Sequence, residues 1–267
     1  MHPMLNIAIR AVRKGGNIIT QNYDTQKFIK EDIDKKKIFI KNILQKTYKT
    51  ISLVIYKSYP NHIILNKKNS FEKNKKHTLW VINELNGKNN FFKNFPHFCV
   101  SIAVVIKNNT EISVIYDPIR NDLFTSVKGQ GSQLNGYRIR CSDINSLNYT
   151  TIAIHLPSKT HQEYFSYLNI YKKLLLSGIS FRSTGSTVLD LAYVASGRID
   201  GLLDFNLKPI DLIAGKLQTR ESGCLTSNFA QKNKNDEKNN NKIASLTSSP
   251  KLIRLISEKI GEYYSLK

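Results

Sequence analysis

Between residues 97 and 140 short apolar runs and polar turns follow one another in the pattern of an antiparallel meander. HFCVSIAVVI faces EISVIYD across the polar turn KNNT, and DLFTSV comes next. Two short pieces then surround Gly129, Gly131 and the Asn135-Gly136 pair, whose chemistry favours a tight hairpin. The GQG at 129–131 lies between predicted strands and opens no helix, so it is turn geometry rather than a dinucleotide fingerprint.

This meander is preceded by two long amphipathic stretches. Residues 3–23 place Leu5, Ile7, Ile9 and Val12 near helical spacing and continue to Ile18, Ile19 and Tyr23. Gly15-Gly16 weakens such a helix, which implies a close contact there. A second helix is predicted over 35–59, with Ile40, Ile43, Leu44, Tyr48, Ile51, Val54 and Ile55 on its apolar side and Pro60 ending it. HIILN (62–66) and TLWVI (78–82) read as short strands. From about 160 onward the pattern alternates: helices over 162–177, 187–196, 209–222 and 250–264, strands over 179–183, 199–204 and 242–247. The Asn/Lys-rich 231–241 stretch is expected to be a flexible loop. The order predicts a layered α+β and α/β architecture in one domain over 1–267, with a helix-plus-meander half (1–150) and an α/β half (151–267).

The chain is long enough, and at 40% hydrophobic apolar enough, to bury a large core. The opening MHPMLNIAIRAVRKGG carries charge too early for a signal peptide, and runs such as VSIAVVI are too short to span a bilayer. Cys99, Cys141 and Cys224 form no metal-type pair, which suits a reducing cytoplasm. Forty Lys and Arg against 20 Asp and Glu leave a net charge of +20. Such a charge attracts nucleic acid; the inflation of Lys, Asn and Ile along the whole chain is equally what compositional drift produces.

WVINELNGKNNF (80–91), STGSTVLDLAYVASGRIDG (183–201) and PIDLIAG (209–215) together resemble three motifs of the inositol monophosphatase family, in particular its SuhB branch. MHPMLNIA, PHFCVSIAV and VIYDPIRNDLFTSVKGQGSQLNGYRIR run in the same order as in that branch. The resemblance implies an α-β-α-β-α sandwich, a homodimer and Mg²⁺-dependent hydrolysis of a phosphate monoester. Such chemistry needs several carboxylates, because Mg²⁺ is a small hard cation held by anionic oxygen.

Carried over position by position, that set is almost gone. The family's helix-2 acids fall on Ile38 and Leu44, and its paired glutamates on Lys67 and Lys68. Its two motif aspartates fall on Asn83 and Asn86, its proline on Glu84 and its water-orienting threonine on Lys88. Asp211 alone remains as a metal carboxylate; Glu84 reads either as a stray ligand or, more simply, as an acid that faces solvent or pairs with a lysine. Two unit charges at ~4 Å and an effective dielectric of ~20 repel by about 4 kcal/mol, and a divalent ion doubles that. No catalytic residue and no cofactor is therefore expected. Lys67, Lys68 and Lys88 are a candidate anion-binding group without metal.

Gly87 keeps the tight turn, while Gly185, Ser186 and Thr187 match the stretch that holds the sugar ring in the family, with Asp204 at its hydroxyl-binding acid. Each has a plainer reading: Gly185-Ser186 as a strand-to-helix turn and N-cap, Asp204 as a strand end. Arg198 and Asp200 read as pairing and turn residues, and His62, His97, His155 and His161 as surface or packing residues. The resemblance also implies a second role. SuhB proteins act as Nus factors, joining RNA polymerase, NusA, NusB, NusE and NusG on the ribosomal RNA transcript to support antitermination and RNA folding. An adaptor needs a folded dimer and not a metal site. The alternative expectation is an inositol-1-phosphate phosphatase with residual or altered activity.

Overall fold

A computed structural model of the protein describes residues 2–25, 33–66, 77–155, 161–205, 209–231, 242–260 and 264–266, by backbone alone at 161–166, 209–211, 229–231, 242–244 and 264–266. Apart from Gln231, the predicted 231–241 loop lies outside the described residues.

The outermost layer is a pair of helices, α1 (Pro3–Tyr23) and α2 (Ile33–Tyr56). Gly15 lets α1 approach α2 closely, and Gly16 lets it settle on the sheet beneath. A Cβ on Gly15 would lie 2.8 Å from Ile51 Cδ1, and one on Gly16 would lie 2.6 Å from the Tyr116 ring. Helix α2 ends at Tyr56, before the predicted stop: Ser58 and Tyr59 amides fold back onto the Ile55 carbonyl, so the chain has already turned when Pro60 is reached.

Both helices pack on a seven-stranded sheet: β1 (Ile63–Leu65), β2 (Leu79–Asn86), β3 (Cys99–Ile106), β4 (Asn109–Asp117), β5 (Asp122–Val127), β6 (Gly131–Leu134) and β7 (Tyr137–Ile139), in sequential order. Only the β1–β2 pair is parallel; β3 to β7 form the predicted meander, and β2 joins it antiparallel to β3. Asn135 and Gly136 both take positive φ (51° and 88°), as a two-residue hairpin between β6 and β7 requires. Trp80, Ile82, Val100 and Ile102 bury one face of this sheet against α1 and α2. Leu79, Val81, Ala103 and Ile115 bury the other against a middle layer.

That middle layer is two helices, one over Thr187–Ala195 and one over Pro209–Glu221. They are α5 and α6 in chain order, a short α3 (Lys88–Phe92) and α4 (His161–Leu176) coming before them. Gly215 lets them meet, since a Cβ there would fall 2.4 Å from Leu191 Cδ1. Their far side covers a second, six-stranded sheet made of β8 (Thr151–His155), β9 (Ser180–Arg182), β10 (Gly201–Asp204), β11 (Leu225–Gln231), β12 (Lys242–Ser248) and β13 (Tyr264–Leu266). Its order is β13-β11-β12-β10-β8-β9, with β10–β8 and β8–β9 parallel and the rest antiparallel. Helices α4 and α7 (Pro250–Ile260) close the last layer on a core of Ile170, Leu174, Leu203, Leu246, Leu252 and Ile256. The result is the expected α-β-α-β-α sandwich.

Several elements differ from the expectation. The final helix stops at Ile260 rather than 264, and β13 follows it. β8, β11 and α3 had no sequence forecast. β2 runs to Asn86, because the amide-rich stretch after Ile82 continues the strand pairing with β3 through an irregularity between Asn83 and Asn86. Among the described residues no helix is long and apolar enough to cross a membrane.

Candidate functional site

Strand β2 is buried along nearly its whole length and ends at Gly87, whose φ of 88° turns the chain into α3. A side chain at this position is excluded twice over: by the left-handed backbone and by the His97 carbonyl, 2.7 Å from where a Cβ would be. The turn delivers Asn86 and Asn90 to the start of α5, which enters from the other half of the molecule.

Asn86 is buried, and its Oδ1 accepts two hydrogen bonds: from Ser186 Oγ at 2.9 Å and from the Val188 N–H at 3.1 Å. The Ser186 hydroxyl also lies 3.3 Å from the Asn86 main-chain carbonyl. Ser186 occupies the N-cap position of α5 but its own side chain makes no capping bond. The expected local N-cap is thus corrected: the first turn is capped from β2. The physical reason is geometric, since Ser186 Oγ is drawn to the Asn86 carboxamide and leaves the helix amide to that same oxygen.

Asn90 holds the other side of the turn. Its Nδ2 donates to the His97 carbonyl at 2.7 Å and to the Thr184 carbonyl at 2.6 Å. Gly185, at φ 79°, lies under this amide, and a Cβ there would be 3.0 Å from Asn90 Oδ1. Deeper, Asp190 is buried and takes the Thr184 hydroxyl at 2.7 and 2.6 Å, with His97 Nε2 at 3.2 Å from Oδ1. His97 meets the Tyr193 ring edge-on at 5.5 Å. Burial pushes the Tyr193 phenol's pKa above its ordinary value. The Thr184 proton is spent on the carboxylate rather than on the imidazole, so Thr184, Asp190 and His97 are not arranged as a nucleophile relay.

The remaining sequence candidates are spread out. Asn83 is buried opposite Ser101, on the face of β2 that carries Leu79 and Val81 toward the middle layer. Its Nδ2 finds no hydrogen-bond partner among the described residues. Leu44 packs half-buried against the core beneath α1 and α2, and Ile38 is exposed on α2. Glu84 is half-buried, and its charge is one of the minor influences that, with burial the largest, raise the Tyr48 pKa. Lys88 is exposed at the first position of α3. Lys67 and Lys68 lie outside the described residues, so the lysine group has only Lys88 on view. Thr187 is buried at the first position of α5. Asp204 ends β10, buried, with Ser245 Oγ at 3.5 Å from Oδ2. Asp211 sits in the first turn of α6, where side chains are not described. Arg198 pairs with Asp122 at 2.5 Å and Asp200 accepts the Thr151 amide at 2.7 Å, the structural roles expected of them.

The structure therefore gathers Asn86, Gly87, Gly185, Ser186 and Thr187, and leaves Leu44 and Lys88 apart. Sequence reasoning missed Asn90, Thr184 and Asp190 and took His97 as an ordinary packing residue. One signal was available: an aspartate inside the apolar run TVLDLAYVA must be buried, and a buried carboxylate needs partners. Among the described residues no three His, Cys, Asp or Glu side chains are gathered closely enough to hold a metal ion.

Known proteins share this architecture. The sequence model of the inositol monophosphatase family matches residues 1–261. The chain is 74% identical over 266 residues to a Nus factor SuhB of Buchnera aphidicola subsp. Schizaphis graminum, covering 99% of each. It is 46% identical over 230 residues to Nus factor SuhB of Escherichia coli K12, covering 86% of each. The crystal structure of extragenic suppressor protein suhB from Bartonella henselae superposes with a TM-score of 0.80 at 25% identity, over 97% of this chain and 98% of that one. A Thermotoga maritima inositol monophosphatase superposes with a TM-score of 0.75 at 22% identity, over 98% of each chain. With the family match spanning nearly the whole length, this chain belongs to the inositol monophosphatase family.

Proposed function

We propose that the chain is a Nus factor of the SuhB type that works without phosphatase chemistry. In this reading it is a cytoplasmic homodimeric adaptor of the ribosomal RNA antitermination complex, with RNA polymerase, NusA, NusB, NusE, NusG and the transcript as partners. Relatives at 46% and 74% identity carrying the name Nus factor SuhB support it.

The observation that carries the non-catalytic half is the engagement of Asn86. Its one acceptor atom already takes Ser186 Oγ and the Val188 amide, so it faces donors rather than a cation. A magnesium cluster asks for several anionic oxygens. The positions where the family supplies them offer neutral amides at 83 and 86, a hydrocarbon at 44 and ammonium groups at 67 and 68. This donor set does not fit Mg²⁺.

The RNA-facing half draws on charge placement. Over residues 2–25 and 33–58, which include α1 and α2, ten Lys and Arg stand against only Asp24 and Asp34. A transcript held there would be released by salt, and charge reversal at Lys46 and Lys49 would flatten that salt dependence. An unchanged slope would remove this face from the reading.

Two measurements test the proposal. Affinity-tagged protein should retain RNA polymerase and NusA from a cell extract of its source, and failure to retain either argues against the adaptor. Phosphate release from inositol 1-phosphate at high Mg²⁺ should stay at the no-enzyme rate. Turnover that is abolished by Asp211→Asn would instead establish the phosphatase.

A further inference from the structure

We propose that Cys141 and Cys224 form a reactive dithiol that hydroperoxides oxidise to a disulfide, clasping the edge of the first sheet to the start of β11. This stands on a different part of the molecule from the α5 site and does not depend on the adaptor reading.

Cys141 follows β7, on the last edge of the first sheet; Cys224 leads into β11 of the second. Their segments run side by side, with the Cys141 N–H donating to the Ser222 carbonyl at 3.1 Å. Between Ser222 and Cys224 the chain turns at Gly223, φ 98°. The Cys141 thiol lies beside this turn, its Sγ 3.8 Å from where a Gly223 Cβ would be, an ordinary contact distance. Cys224 is buried and Cys141 half-buried, and both belong to the apolar cluster of Leu191, Val194, Leu202 and Leu212. The junction is held by other bonds too: Glu221 accepts the Gly131 amide at 3.1 Å through its carboxylate, and Arg140 at 3.2 Å through its carbonyl. The two cysteines are therefore held on adjacent segments and packed into one apolar cluster, with the Ser222 hydroxyl 3.6 Å from Cys224 Sγ.

Their chemistry is complementary. The Cys141 pKa is brought down to about 7, chiefly by the neighbouring Cys224 thiol and with help from Arg140, against burial and the Asp143 charge. Cys224 moves upward through the influence of Cys141 and through burial. One sulfur is thus a partly ionised nucleophile on a half-buried residue and the other a buried thiol on the adjacent segment. In the first step the Cys141 thiolate attacks a peroxide oxygen; the O–O bond breaks, an S–O bond forms, and the leaving oxygen is protonated. In the second, Cys224 Sγ attacks that sulfur, the S–O bond breaks, and the Cys224 proton leaves with the hydroxyl as water. Two thiols lose two electrons, and the hydroperoxide becomes one water and one alcohol, or two waters when it is hydrogen peroxide.

The test uses the full-length reduced protein and hydrogen peroxide as the probe. After denaturing alkylation, peptide mass spectrometry should show a 141–224 cross-link with Cys99, fully buried on β3, still free. Native iodoacetamide should label Cys141 about tenfold faster than Cys99 or Cys224. Cys224→Ser should leave a dimedone adduct at Cys141 and no cross-link, and Cys224→Ala serves if the serine variant does not fold. The wild-type peptide map decides the matter without either variant. Three intact thiols after peroxide, cross-links only between chains, or equal oxidation of Cys99 would each overturn the proposal.

Discussion

Two polar clusters are buried against the middle layer, and they are satisfied to different degrees. Around α6, Gln218 is fully buried: its Oε1 accepts from Ser126 Oγ at 2.7 Å, its Nε2 lies 3.2 and 3.3 Å from the Ser113 carbonyl and hydroxyl, and its main-chain carbonyl accepts from Ser132 Oγ at 2.6 Å. Ser113 Oγ in turn donates to the Ala214 carbonyl at 2.8 Å. Around α5, Asn86 and Asn90 are matched in the same way, but Asn83 keeps a buried Nδ2 with no partner among the described residues. A cluster built to join a helix to a sheet closes on itself. The α5 cluster closes at Asn86, which meets a helix end, and at Asn90, which meets two carbonyls, but not at Asn83.

That contrast orders the expected effects of mutation. Gln218→Ala removes one side of the α6 cluster, taking the Oε1 acceptor from Ser126 and the Nε2 donor from Ser113 in a dry interior, so it should cost about 2–4 kcal/mol in urea unfolding. A loss under about 1 kcal/mol would mean that the cluster relaxes and that the contrast is not real. Next comes Asn86→Ala, which uncaps α5 and frees Ser186, at about 1–2 kcal/mol. Asn86→Asp keeps the acceptor and places a negative charge at a helix N-terminus, so it should lose less than the alanine variant. The reverse order would show that the oxygen is not the working part of Asn86.

Much of this was legible beforehand. Gly15-Gly16 announced a close contact and makes one, and Asn135-Gly136 announced a hairpin and forms it, because both depend on the residues themselves. Element order followed for the same reason. The α5 cap was illegible because it joins Asn86 to an amide 102 residues away, and no local pattern encodes a partner at that separation. β11, LTSNFAQ, lacks both alternation and β-branched weight and is defined by its pairing with β12 and β13. The His97–Asp190 pair, 93 residues apart, was hidden in the same way.

Asn83 offers a sharper test of the same contrast. Replacing it by Val removes a buried amide that has nothing to lose on Nδ2 and suits a strand flanked by Ile82 and Leu85. Stability should change by no more than about 0.5 kcal/mol, in either direction. A cost matching that of Gln218→Ala would show that Asn83 is as fully engaged as the α6 cluster.

The smallest expected effect is that of Mg²⁺ on the melting temperature. A site that binds the native state stabilises it by RT ln(1 + [L]/Kd), about 2.7 kcal/mol when the ion stands at ~100 times its Kd. In a chain of this length each kcal/mol moves Tm by roughly 2–4 °C, so an occupied cluster would announce itself by several degrees. With amides at 83 and 86 and Asn86 Oδ1 already accepting two hydrogen bonds, the expected shift is within about 1 °C. Because the chain carries +20, the reference must be sodium chloride at equal ionic strength, which removes the general effect of screening self-repulsion. A magnesium-specific rise of several degrees, lost in Asp211→Asn, would mean that the site around α5 still gathers a cation, and its polar cluster would then have to be redrawn around that ion rather than around the helix end.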